Sequence, residues 1–196
     1  SMERVGQMTA VVTGFGPFPG APVLNPSWEA VQRLPTTLST DAGSMTIIAR
    51  QLQVDYERTR DEISRLHSEY SPDLTLHCGV GKDSIFALEQ VAHYGGYDRV
   101  DNVGNMGIGV GSDPEQVLSI DGTLITQILD YLHQFDWPAP VIISTNAGRF
   151  LCEYALLQSL ILSPDTSVAL FLHIPNNVPL QHSIDLIVAI LKFFLE

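Results

Sequence analysis

The chain is short of positive charge. Of its 196 residues, 10 are Lys or Arg against 22 Asp or Glu, for a net charge of -12. Lys82 and Lys192 are the only lysines, and the arginines form no tract. A DNA or RNA binder driven by backbone phosphates needs a cationic stripe, so that class is excluded. Strongly anionic substrates are disfavoured too, whereas a small neutral ligand is not. Cysteine is equally scarce, with only Cys78 and Cys152. Two cysteines cannot make the disulfide framework of a small secreted protein. The lack of any CxxC removes the usual signature of structural zinc and of thioredoxin-like redox work. No metal and no cofactor are expected. No apolar run approaches the roughly 18 residues of a membrane span, so no membrane partner is expected. The first residues lack the apolar core of a signal peptide, and with the cysteine usage this gives a cytoplasmic expectation. Ser1 ahead of Met2 reads as the remnant of tag removal.

What is present is the pattern of a globular domain. Hydrophobic residues make up 45% of the chain, enough for a core without disulfides, and no linker or repeat divides it, so one domain over 1–196 is expected. Val/Ile/Leu-rich segments at 10–15, 46–54, 73–79, 141–148 and 168–175 read as buried strands. Segments at 26–34, 55–70, 124–135, 150–162 and 184–194 read as helices. Asn25-Pro26 and Asp55 read as helix starts, and Ser71-Pro72 as a stop. The run FALEQVAHY at 86–94 is ambiguous, and the glycine-rich stretch from Gly95 to about Pro114 reads as a loop or a small hairpin. Alternation of strands and helices gives an α/β class, a parallel sheet covered on both faces. Ligands of such sheets sit beyond the carboxyl ends of the strands, here Gly14-Phe15-Gly16, Gly79, Asn146-Ala147-Gly148 and His173-Ile174-Pro175.

Three residues could carry chemistry. Cys152 follows a strand and a turn at the start of a helix, where free N–H groups favour a thiolate and could hold an oxyanion; a small buried hydrophobe is the plainer alternative. His173 interrupts ALFLHIP near a strand end and could exchange a proton with the cysteine, or be a satisfied core histidine. His77 competes for that role, but its neighbour Cys78 points to the other face of a strand, which argues against an adjacent dyad. Glu89 sits in an apolar run; if buried it needs a partner, which the second nitrogen of His173 would supply, and if exposed it is a surface charge. GIGVG at 107–111 joins no clear strand to a helix and has no Walker lysine, which argues against a phosphate loop. Phe15 and Phe18 at a sheet mouth suit an apolar, uncharged ligand, or are simply core.

The stretches TGFGPFPGAPVLNPSWEAVQRL at 13–34, GVGKDSIFALEQVAHYGGYDRVDN at 79–102, STNAGRFLCEYALLQSL at 144–160 and FLHIP at 171–175 resemble, in order, those of the pyroglutamyl peptidase I family of cysteine peptidases. The resemblance implies a three-layer α/β/α sandwich around a mostly parallel, twisted sheet. It implies a Cys-His-Glu triad without metal: Cys152 in the S-x-x-A-G-x-[YF]-x-C motif as nucleophile, His173 in F-x-H-x-P as base, and Glu89 as its partner. It also implies that Phe15 and Phe18 line a lactam-ring pocket. The partners it implies are small peptides with an N-terminal pyroglutamate; oligomeric state is left open. This chain differs from the family pattern in a 79–89 loop one residue shorter, in Lys82-Asp83, in Tyr94 and in Glu153. The competing readings are a catalytically impaired relative that binds small molecules or peptides, a purine-nucleoside-type phosphorylase, and a serine esterase. The last lacks a G-x-S-x-G elbow.

Overall fold

Strand β1, Gln7–Phe15, is apolar enough to be buried from both faces along its second half. The computed structural model describes residues 6–19 and 24–196. Residues 1–5, with Ser1 and Met2, and residues 20–23 of the first motif lie outside the described residues. After β1, helix α1, Pro26–Val31, starts as its sequence requires: the Asn25 side chain accepts from the Ser27 N–H and proline takes the first turn. The apolar run at 46–54 is the core of β3, Gly43–Leu52, but the strand begins earlier and is preceded by β2, Thr37–Thr40, which pairs with it antiparallel. Sequence patterning missed β2, which alternates exposed and half-buried residues at a sheet edge. Asp55 caps α2, Tyr56–Tyr70, whose Thr59, Ile63 and Leu66 are buried; Ser71 ends it in the left-handed region at φ 42°.

Strand β4, Leu74–Val80, follows. The ambiguous run at 86–94 is two strands, β5, Phe86–Glu89, and β6, Val91–His93, broken at Gln90. β6 pairs antiparallel with β7, Val117–Ser119, and the glycine-rich stretch lies between them. That stretch is irregular but anchored. Buried Asp101 accepts from the N–H groups of Tyr56, Val103 and Asn105, and the Tyr56 hydroxyl donates to the Arg99 carbonyl. The remaining elements are α3, Gly122–Leu132; β8, Val141–Ser144; α4, Leu151–Leu162; β9, Val168–Ile174; and α5, Leu180–Phe193.

The main sheet has seven strands in the order β2-β3-β1-β4-β9-β5-β8. β3, β1, β4 and β9 run parallel. β5 is antiparallel to β9, and β8 is parallel to β5. Helix α5 contacts both α1 and α3 on one face, and α2 packs with α4 on the other. The result is an α/β/α sandwich with a mostly parallel sheet.

Two expectations need correction. β8 is not a buried strand: it is the sheet edge, and Ile142 is 40% exposed. Its direction is also reversed, because β8 runs against β1, β4 and β9, although the turn at 146–148 still borders one cavity with Val80, Gly81 and His173. Direction is not encoded in a four-residue apolar run, so an all-parallel rim was the wrong inference from correct strands.

Candidate active site

The site forms where β4 and β9 lie side by side beneath the start of α4. Gly79 is the register partner of His173, and on the other side Ala87 pairs with His173. Alternate residues of a strand share a face, so Glu89 stands on the same face as Ala87 and His173. It is buried, and its Oε1 lies 2.8 Å from His173 Nδ1. Among the described residues its Oε2 has no hydrogen-bond partner.

Cys152 comes to this point from above. It is the second residue of α4, a helix whose cap at Phe150 offers no side-chain acceptor, so the first-turn N–H groups remain available. Two glycines make room. A Cβ at Gly79 would sit 2.5 Å from Cys152 Sγ, and one at Gly81 would sit 2.7 Å from His173 Cβ. The thiol and the imidazole therefore occupy space that any other residue at these strand positions would fill. Burial by itself would lower the His173 pKa, but the charges of Cys152 and Glu89 and the bonds to both outweigh it and push the imidazole up to about 10. The arrangement favours the protonated imidazole between a sulfur and a carboxylate.

The structure thus brings Cys152, His173 and Glu89 together. The other wall of the thiol is a cavity of about 110 Å³, lined by Phe15, Phe18, Asn25, Arg99, Phe150 and Cys152 among others. Phe15 is buried and Phe18 half-buried, so both sequence-chosen phenylalanines reach this cavity. Sequence reasoning missed Arg99, whose guanidinium lies 4.3 Å from the Phe150 ring centroid. It sits in an irregular stretch that no periodicity could place.

Glu153, visible in the sequence only as a departure from the family pattern, proves to be wholly buried. Its carboxylate accepts from the N–H groups of His93 and Arg149 and meets His93 Nδ1 at 2.7 Å. It ties the turn before α4, where Arg149 is held at φ 55°, to β6. His77 stands elsewhere. It is fully buried between Thr13 Oγ1 and Ser159 Oγ, each at 2.6 Å, and burial pushes its pKa down to about 3. Cys78 is fully buried as well, and burial raises its thiol.

A partly exposed cysteine beside a carboxylate-backed histidine on an α/β/α sandwich is the arrangement of a cysteine-type peptidase. The family model described as pyroglutamyl peptidase matches residues 8–187, and the chain belongs to that family. Pyroglutamyl-peptidase 1 of Homo sapiens is 33% identical over 170 residues, covering 84% of this chain and 78% of the relative. Pyrrolidone-carboxylate peptidase of Thermococcus onnurineus is 33% identical over 180 residues, covering 86% and 84%. In fold, the chain is similar to the pyrrolidone carboxyl peptidase of Thermococcus litoralis, with a TM-score of 0.80 at 22% identity over 94% of this chain and 92% of that one. It is also similar to the pyroglutamyl peptidase I of Bacillus amyloliquefaciens, with a TM-score of 0.77 at 22% identity over 93% and 92%.

Proposed function

We propose that the chain removes an N-terminal pyroglutamyl (5-oxoproline) residue from small peptides, with Cys152 as nucleophile, His173 as proton carrier and Glu89 as the group that orients it. The contact of 2.8 Å between Glu89 and His173, beside Cys152, carries this reading. The Cys152 thiolate attacks the pyroglutamyl carbonyl, and N–H groups in the first turn of α4 hold the oxyanion. His173 gives its proton to the leaving amine and then takes one from the water that releases 5-oxoproline. Glu89 fixes the ring and balances its charge. Phe15 and Phe18 receive the flat lactam, whose lack of charge suits an apolar cavity. The shortened 79–89 loop leaves the Glu89–His173 contact in place, which supports an active enzyme over an impaired relative. Among the described residues no helix is long and apolar enough to cross a membrane; a cytoplasmic site of action and a single-domain chain belong to this proposal.

The test is release of a dye from a pyroglutamyl amide, with and without reducing agent, beside the glutaminyl amide of the same dye. Pyroglutamyl turnover should depend on reduced thiol. The open-chain ammonium should be rejected by a factor of about 10⁴, because the apolar cavity leaves it unsolvated. Phe15→Ala or Phe18→Ala should lower kcat/KM by about 10- to 1,000-fold. A wild-type ratio near one would leave only a generic cysteine hydrolase.

A further inference from the structure

Two cavities meet at the Cys152–His173 pair. The one of about 110 Å³ has Phe15, Phe18 and Cys152 in its wall. The other, of about 420 Å³, is bounded by Gly81, Lys82, Glu89, Ser144, Asn146 and His173 among others. Val80 borders both. The thiol belongs to the first wall and not the second, and the imidazole to the second and not the first. In acyl transfer the nucleophile keeps the acyl half of the substrate, while the general acid must reach the leaving nitrogen. A peptide straddling this pair therefore has a separate place for each half.

Resting on the proposed hydrolysis, we infer that the larger cavity receives the leaving peptide and that Lys82 in its wall selects leaving peptides carrying a carboxylate close to the scissile bond. Lys82 is one of two lysines in a chain of net charge -12, so a cation here stands against the overall charge. It is exposed, in the turn between β4 and β5, and takes part in none of the ion pairs among the described residues. The other charges in the wall are the Glu89 carboxylate and the His173 ring, and these are engaged with each other. Lys82 is thus the cation left to meet the substrate. The carboxylate can be the free C-terminus of a dipeptide or an Asp or Glu side chain just after pyroglutamate; both offer the same charge at short range.

The experiment compares kcat/KM within two substrate pairs: pyroglutamyl-alanine against its amide, and pyroglutamyl-aspartate amide against pyroglutamyl-asparagine amide. Each ratio is taken within one enzyme preparation, so a partly folded variant cancels out. The wild type should favour the carboxylate by about 2- to 5-fold in at least one pair, the scale of an exposed ion pair. The preference should shrink in about 0.5 M salt. Lys82→Ala should bring the ratio near one, and Lys82→Glu should invert it. A preference in the first pair alone assigns the terminal carboxylate, and one in the second alone assigns the side chain. Ratios near one for both pairs in the wild type, or a preference that survives Lys82→Glu, overturn the selection by Lys82. If none of the four peptides is cleaved, the hydrolysis reading falls and this inference with it.

Discussion

Two cysteine–histidine couples flank Gly79, and they behave as opposites. His77 and Cys78 are chain neighbours in β4, so strand alternation turns them to opposite faces and they cannot form a pair. His77 meets two hydroxyls and is held neutral; Cys78 is sealed in the core. Cys152 and His173 come from a helix and a different strand, and they converge over the Cβ-free surface of Gly79 and Gly81. There the imidazole meets a sulfur and a carboxylate, which favour its protonated form. The same two residue types give inert packing in one place and a charged couple in the other. What separates them is the charge of the partners, since desolvation weighs on both rings.

The sharpest way to break this comparison is to remove the thiol. Cys152→Ser should reduce turnover by about 10⁴-fold or more while the thermal midpoint moves little, because the volumes are close. Glu89→Gln should lower kcat by about 10²- to 10⁴-fold, since the ring loses the anion that orients it. Steady-state kinetics on a pyroglutamyl dye amide reads both. Near-normal turnover in Cys152→Ser would end the distinction between the couples.

Gly79→Ala tests the space rather than the chemistry. The added methyl would stand 2.5 Å from Cys152 Sγ and 2.9 Å from Phe171 Cζ, so the sulfur or the strand must shift. A misplacement on the order of 1 Å costs about 100-fold in rate. The expected result is a loss of that size in kcat, with slower alkylation of Cys152; unchanged kinetics would show that the clearance is not needed.

Much of this was legible in the sequence because the signals were local. Asn25-Pro26 and Asp55 start helices where capping chemistry requires, and the strand-ending glycines marked where side chains could gather. The four-residue edge strands carried no comparable signal. β2 has no buried face to betray it, and the reversed direction of β5 and β8 depends on pairings across the sheet. The short run at 86–89 shows an apolar setting for Glu89, and the need of a buried carboxylate for a partner points to His173, although the contact itself spans 84 residues of chain and is not readable from the run alone. Arg99 and Glu153 were missed as site features for a related reason: each acts through neighbours that only the folded chain supplies.

Stability should separate the two histidines by a route independent of activity. His77→Leu removes the partner of buried Thr13 and one of the two partners of Ser159, at a cost of about 2 to 4 kcal/mol. The folded fraction should keep kcat/KM within about threefold. The pH dependence has opposite signs for the two rings. With its pKa lowered from 6.5 to about 3, His77 contributes stability that is present above pH 6.5 and lost as pH falls toward 3. With its pKa raised from 6.5 to about 10, His173 contributes stability that is present below pH 6.5 and lost as pH rises through 10. Chemical unfolding across pH should therefore have a shallower acid slope in His77→Leu and a shallower alkaline slope in His173→Gln than in the wild type. Identical profiles in both variants would erase the contrast between the rings.

The smallest effect belongs to Cys78. It is fully buried, burial raises its thiol, and it points away from the face on which Cys152 and His173 meet. Cys78→Ala deletes a sulfur from a packed core and should cost about 1 to 2 kcal/mol through the small void it leaves. Cys78 takes no part in the Cys152–His173–Glu89 cluster, so kcat/KM should stay within about twofold. Alkylation supplies a readout independent of turnover. Folded wild type and folded Cys78→Ala should each take up iodoacetamide at a single thiol, folded Cys152→Ser should take up none, and denatured wild type should take up two, because only a partly exposed thiolate reacts readily. If Cys78 were alkylated as fast as Cys152 in the folded protein, or if Cys78→Ala abolished turnover with the fold intact, the β4 couple would not be the inert member of the comparison.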